Sequence, residues 1–266
     1  MPTRRRLDAE LVRRGLARSR EHAVSLIADG RVSVAGRAGA KPGTAVASAE
    51  AIVVTKPDGP QYVSRGGHKL SGALDVFEAA GLTVAGRRCL DAGASTGGFT
   101  DVLLRRGAAE VVAVDVGYGQ LAWSLRTDSR VVVLDRTNVR QLSPELLGAQ
   151  VDLVVADLSF ISLRPVLRPL LACTAVDGDL VLLVKPQFEV GPERVGRGVV
   201  RDPALRVEAV ASTAAAAAEL GLGVAGVTAS PLPGPSGNVE YFLWLRTDAP
   251  SLDLAELQRV VLEGPS

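Results

Sequence analysis

Asp91-Ala92-Gly93-Ala94-Ser95-Thr96-Gly97-Gly98-Phe99-Thr100 is a glycine-rich turn between an apolar run at 88–93 and a helical pattern over roughly 100–106. Short apolar runs bounded by turn residues read as buried strands. Outward from this turn such runs recur at 110–115, 131–135, 151–157 and 179–185, and then at 224–229 and 239–246. An alanine-rich helix over 204–220 precedes the last two. Strands alternating with helices predict an α/β fold, an open and mainly parallel sheet with helices on both faces. Ligands of such sheets bind beyond the carboxyl ends of the strands. Asp91, Asp115, Asp135, Asp157 and Lys185 all fall at those ends. A tight turn packing helix on sheet accounts for the glycines but not for this series of ionisable groups.

A dinucleotide-binding turn reads G-x-G-x-x-G, its second glycine letting the backbone approach a pyrophosphate. Here Ser95 holds that position, and the Gly-Lys-Ser/Thr ending of a phosphate-binding P-loop is absent. The turn therefore suits a nucleoside cofactor without phosphates. Asp115, one strand along, is placed to accept hydrogen bonds from ribose hydroxyls. Together these features resemble the S-adenosylmethionine site of Rossmann-like class I methyltransferases. The resemblance implies cofactor contacts from Asp91, Gly93, Ala94, Ser95, Gly97, Gly98, Phe99, Asp115, Val116, Asp135 and Asp157.

An apolar fraction of 47% supports a sizeable core. Cys89 and Cys173 are isolated in apolar runs, so neither a disulfide framework nor a metal site is expected, and a cytoplasmic setting is. The basic start, Met1 to Arg6, is not followed by an apolar signal segment. The longest small-apolar stretch, 209–226, is broken by Glu219 and Gly221 and reads as a soluble helix, so no membrane partner is expected. Charge is uneven: residues 1–60 carry a net +5 and residues 61–266 a net −4. A small basic module on a mildly acidic body points to a polyanionic partner.

That module reads as two helices and then short strands. Leu7, Leu11, Val12 and Leu16 recur at helical spacing, and Ser19 suits the N-cap of a second helix over 20–28. Strands are expected at 32–34 and 51–55, and Pro57-Asp58-Gly59-Pro60 breaks the pattern. The expected division is a module over 1–56, a linker over 57–64 and a catalytic domain over 65–266. The string Arg6-Leu7-Asp8, Leu11, Gly15-Leu16-Ala17-Arg18-Ser19-Arg20, Ala23, Leu26-Ile27, Gly30-Arg31-Val32 resembles the S4 RNA-binding domain, a small α+β fold. The resemblance implies RNA contacts from Arg4, Arg5, Arg6, Arg14, Arg18, Ser19, Arg20 and Lys41. Arg65 suits either a phosphate contact or a surface salt bridge.

Only four of the 30 basic residues are lysine: Lys41, Lys56, Lys69 and Lys185. Arginine keeps its proton in proteins, whereas lysine can be tuned by its surroundings. After strand four, Asp157-Leu158-Ser159-Phe160 lacks the prolines common in amino-group methyltransferases, and neither cysteine has the proline-cysteine setting of cytosine C5 chemistry. What remains is Lys69, Asp157, Lys185 and Glu240, with Lys69 read as lying in a Gly-Gly loop. This set resembles the Lys-Asp-Lys-Glu tetrad of FtsJ-type ribose 2′-O-methyltransferases. Val63 to Leu70, Asp91 to Thr100, Asp157 to Ser162, Lys185-Pro186-Gln187-Phe188-Glu189 and Gly234 to Glu240 are more specific, and resemble the TlyA family over nearly the whole chain. That resemblance implies an S4 module joined to an FtsJ-like domain. It also implies methylation of cytidine 2′-hydroxyls in 16S and 23S ribosomal RNA by a protein that is monomeric when free. A non-catalytic ribosome-assembly factor and a haemolysin are the competing readings. Trp123 and Trp244 are expected in the core.

Overall fold

The computed structural model describes residues 4–28, 30–38, 40–55, 60–196, 198–234 and 236–265. Its contacts divide the chain into two units, 1–61 and 62–266. In the smaller unit β1 (Arg4–Arg6) leads into α1 (Leu7–Arg13), followed by α2 (Arg20–Ala28), β2 (Val32–Val34), β3 (Ala45–Ala47) and β4 (Ile52–Val54). Leu7, Leu11, Ala23, Leu26, Val32 and Val46 form its core. The helical spacing of the leucines puts them on the buried face. Ser19 Oγ accepts from the His22 N–H at 3.1 Å, the expected cap. The two expected strands, β2 and β4, pair with each other, while β1 pairs with β3. Three consecutive arginines carry no alternation, so β1 exists through pairing and not through pattern.

The larger unit begins with α3 (Arg65–Ala79), then β5 (Arg88–Ala92), α4 (Gly98–Arg105), β6 (Glu110–Val114), α5 (Trp123–Arg126), β7 (Val131–Leu134) and α6 (Pro144–Leu147). It continues with β8 (Val151–Ala156), α7 (Arg164–Cys173), β9 (Thr174–Val184), α8 (Pro186–Glu189), α9 (Pro203–Ala218), β10 (Gly223–Ala229), β11 (Tyr241–Arg246) and α10 (Leu254–Glu263). The sheet order is β10-β11-β9-β8-β5-β6-β7. β5 to β9 are parallel, and β11 runs antiparallel to both of its neighbours. Period-2 alternation splits the core into two layers. Leu90, Val112, Val154, Leu182 and Leu243 face α7, α9 and α10, while Cys89, Val111, Val155, Val181 and Phe242 face α3 and α4. This is the expected Rossmann-like α/β class with a smaller basic unit ahead of it.

Several local expectations change. Lys69 lies on α3, not in a loop. Two glycines weaken a helix by roughly 1 kcal/mol each, yet here they allow close packing. A Cβ on Gly67 would overlap the Tyr62 side chain, and one on Gly98 would overlap Ser64. Tyr62 to Ser64, expected in the linker, are part of the larger unit's packing. The Val63 N–H donates to Asp101 Oδ2 at 2.9 Å, and Tyr62 OH bonds Ser71 Oγ at 3.0 Å. The linker's Pro57, Asp58 and Gly59 lie outside the described residues, as does Lys56. Trp244 is in the core as expected, but Trp123 is 77% exposed. Among the described residues no helix is long and apolar enough to cross a membrane.

Candidate active site

The glycine turn is held from three sides. The Gly93 and Ala94 N–H groups both donate to the Val114 carbonyl, at 2.8 and 3.0 Å. Gly93 has φ +88°, and a Cβ there would lie 2.7 Å from the Asp157 carbonyl oxygen. Glycine is thus required both for the turn and for the close approach of two strand ends. Asp115 accepts from the Ser95 N–H at 2.8 Å through Oδ2 and from the Gly117 N–H at 2.7 Å through Oδ1. The structure therefore gathers Gly93, Ala94, Ser95, Asp115, the exposed Val116 and Asp157 at one rim.

Other residues expected at the cofactor sit behind that rim. Asp91 is fully buried within β5, and its Oδ2 accepts from the Thr100 N–H at 2.9 Å and from Thr100 Oγ1 at 2.6 Å. Its task is to hold the first turn of α4, where an acceptor meets otherwise unpaired N–H groups. Burial pushes its carboxyl up to about 7, despite the hydrogen bonds from Thr100. The Phe99 ring packs 6.0 Å from Phe242 in the core. Gly97 adopts φ +98° against Leu121 and Leu125, and Gly98 meets α3. Asp135 pairs with Arg126 at 2.7 Å, which holds its carboxyl below the usual range.

Two lysine–carboxylate pairs stand beside this rim. Lys69 Nζ donates to Glu240 Oε2 at 2.5 Å, tying α3 to the residue just before β11. Lys185, directly after β9, lies 2.6 Å from Asp157 Oδ1 and donates to Ser159 Oγ at 2.9 Å. The Asp157 contact is close but off the hydrogen-bond direction. Exposure is 6% for Lys69, 7% for Lys185 and 1% for Glu240. Buried charges of this kind persist only when paired. Four residues far apart in sequence thus form two neutralised pairs.

Three supporting residues were not singled out in the sequence. Ser159 is one. Glu189, on α8, accepts from Ser162 Oγ at 2.6 Å and from the Leu163 N–H at 2.8 Å, fastening the loop after β8 to the turn after Lys185. The buried Asn238 accepts from the Val200 N–H and donates to the Gly198 carbonyl, both at 2.8 Å. Their signal was a polar residue within an otherwise family-like string, which does not distinguish a buried clamp from a solvated side chain. Phe160, next to Ser159, has φ +64°, is 91% exposed, and lies 5.6 Å from the Phe188 ring.

In the smaller unit the basic residues divide into two sets. Arg5, Arg18 and Lys41 are exposed, while Arg6 and Arg20 reach solvent but share the buried Asp8 at 3.0 and 3.1 Å. Those guanidinium groups hold the Asp8 carboxyl far below its usual range. Arg4 lies 3.7 Å from Glu50. Arg14 is a structural tie, bonded to Glu10 and to the Ala47, Ser48 and Glu50 carbonyls, and Ser19 is committed to its cap. Arg65 opens α3 and is half-buried.

The sheet order, the glycine turn and the acidic rim define a Rossmann-like methyltransferase domain. A family model described as FtsJ-like methyltransferase matches residues 62–247, and one described as S4 domain matches residues 5–51. A Mycobacterium tuberculosis protein named 16S/23S rRNA (cytidine-2'-O)-methyltransferase TlyA is 61% identical, covering 100% of both chains. Hemolysin A of Brachyspira hyodysenteriae is 36% identical over 89% of this chain and 97% of its own. A solved structure from Streptococcus thermophilus, provisionally labelled a hemolysin, is 38% identical with a TM-score of 0.77, covering 99% of this chain and 96% of that one. The chain belongs to the TlyA family, S4-bearing methyltransferases of the FtsJ-like type.

The residues at the rim fit S-adenosylmethionine. Asp115 and Asp157 supply carboxylates suited to ribose hydroxyls and to a positive sulfonium. Among the described residues the Gly93–Gly98 turn has Ser95 where a dinucleotide turn has its second glycine, and it lacks the Gly-Lys-Ser/Thr ending of a phosphate loop. No cluster able to hold a metal ion occurs among them either.

Proposed function

We propose that the protein methylates the ribose 2′-hydroxyl of cytidine in 16S and 23S ribosomal RNA, with S-adenosylmethionine as donor. The supporting observation is the pairing of Lys185 with Asp157 and of Lys69 with Glu240 beside the glycine turn. A 2′-hydroxyl is a weak acid and a poor nucleophile, so the chief tasks are alignment and stabilisation of charge growing on oxygen. The bound cofactor supplies an electrophilic methyl group on a sulfonium. Lys185 lies closest to the hydroxyl and either accepts its proton as the neutral amine or, as the ammonium, orients its lone pair. Asp157 neutralises Lys185 and would favour a bound sulfonium electrostatically. Lys69, held by Glu240, supplies the second positive charge. The exposed Phe160 ring offers a face on which an unstacked base can rest. In the smaller unit Arg5, Arg18, Arg20 and Lys41 contribute phosphate contacts, which set affinity and orientation without reading sequence.

The test is incubation of the purified protein with tritiated donor and unmethylated ribosomal subunits or RNA. Label is expected on cytidine 2′-oxygens, and absence of label from every substrate overturns the reading. Lys185→Arg keeps the charge but cannot accept a proton at neutral pH. Loss of transfer in that variant supports proton acceptance, whereas retained transfer leaves lone-pair orientation as its role. Lysis of membranes by the purified protein would revive the hemolysin label that two relatives carry.

A further inference from the structure

We infer that Ser159 is a positioning residue for the transfer, fixing the direction in which Lys185 meets the ribose oxygen; this rests on the function proposed above. Lys185 Nζ is a three-fold rotor on a flexible stem. Its Coulombic partner Asp157 lies 2.6 Å away but off the hydrogen-bond direction, so attraction holds the nitrogen without settling its rotation. Among the described residues the one aligned hydrogen bond from Nζ goes to Ser159 Oγ, at 2.9 Å. Once that N–H is committed, the other two tetrahedral positions are fixed in space. One of them is left for the 2′-oxygen, whether it presents a hydrogen or a lone pair.

Ser159 is itself held in place. It sits two residues beyond Asp157, whose N–H donates to the Ala92 carbonyl at 3.2 Å. Three residues further on, Ser162 Oγ and the Leu163 N–H donate to the buried Glu189, on the helical turn that follows Lys185. The loop carrying Ser159 and the turn carrying Lys185 are therefore fastened together on the far side of the pair. Lys69 shows no such arrangement: among the described residues its side-chain hydrogen bond goes to Glu240. The two lysines differ in that one is aimed by a neutral hydroxyl and the other is held by a carboxylate.

Ser159→Ala removes the aiming bond and keeps the charges. The expected result is a fall in kcat of roughly tenfold or more, the scale of one well-placed hydrogen bond, with KM for RNA, cofactor affinity and melting temperature unchanged. Ser159→Thr restores the hydroxyl and is expected to recover most of kcat. The proposal is overturned if Ser159→Ala keeps kcat within about twofold, or if Ser159→Thr fails as badly as Ser159→Ala while KM rises in both, which would make the residue a steric RNA contact. The parent protein, assayed alongside, separates the two readings: no transfer by the parent sinks the proposed function, whereas an active parent with an equally active Ser159→Ala sinks only the role of Ser159.

Discussion

The two ends of the seven-stranded sheet each bury a carboxylate against basic groups, but with opposite chemistry. At the amino ends of the parallel strands Asp179 is 1% exposed and is bonded by Arg87, by Trp244 Nε1 at 2.7 Å, and approached by Arg246 at 3.6 Å. Every basic partner there is arginine, whose planar fork saturates a carboxylate. At the carboxyl ends the basic groups beside Asp157 and Glu240 are both lysine, and Glu240 Oε1 and Asp91 Oδ1 are buried without hydrogen-bond partners. A saturated cluster stabilises, while one with spare acceptors and compact, rotatable donors is ready to receive a ligand. On the proposed function the two ends divide the work: arginine holds charge at the amino end, and Lys69 and Lys185 meet the substrate at the carboxyl end.

Exchanging the residue types is the strongest way to break this contrast. Lys69→Arg keeps the charge but needs a planar, bidentate seat that a single Glu240 oxygen does not provide. Methyl transfer is expected to fall roughly 10²-fold, the scale of a displaced catalytic group, with little change in the urea midpoint. Unimpaired transfer would mean that lysine is incidental at the carboxyl rim.

Asp91, buried behind the same rim, can be probed through pH. Its folded value of about 7 lies above the ordinary value of 3.8. Between these values the native state binds more protons than the unfolded one, so stability falls as pH rises from about 4 to about 7. By linkage the full effect is on the order of 4 kcal/mol. Asp91→Asn cannot ionise and is expected to lack this decline when unfolding of the cofactor-free proteins is followed across that range. Parallel pH dependence in parent and variant would show that Asp91 is ionised in the fold.

At the amino end the effect is on stability alone. Asp179→Ala is expected to cost about 2–3 kcal/mol, below the range for a fully buried pair because its arginines keep part of their hydration. Arg87→Lys in the same cluster is expected to cost only about 1 kcal/mol. Methyl transfer per folded molecule should be unchanged in both, as read by urea unfolding beside single-turnover transfer. A loss of transfer would show that the two ends are coupled.

Much of this was legible in the sequence because it follows from local pattern. Apolar runs ending in Asp115, Asp135 and Asp157 marked strands and their rim, and the leucines at helical spacing marked α1. Less legible were contacts made across long separations. By sequence Lys69 reads as a loop residue because Gly66 and Gly67 disfavour a helix, and only the packing of Tyr62 and α4 reverses that preference. Phe99 and Asp91 belonged to the right turn but face inward, since alternation places successive side chains on opposite sides without saying which side is wet. Arg14 carried the charge expected for RNA, and the turn carbonyls that occupy it lie more than thirty residues away.

The sequence by itself determined the order of the main sheet strands, the basic and acidic segments, the glycine turn and the two lysines and two carboxylates proposed to act in the transfer. These rest on hydrophobic period, charge and motif, all of which are properties of neighbours along the chain. Only the tertiary structure decided which lysine meets which carboxylate, that Ser159 aims Lys185, and that Glu189 fastens the loop beneath it. Those relations join residues 26 to 171 positions apart. They exist because a parallel sheet brings distant strand ends to one edge, where a buried charge must find whatever partner the fold has placed beside it.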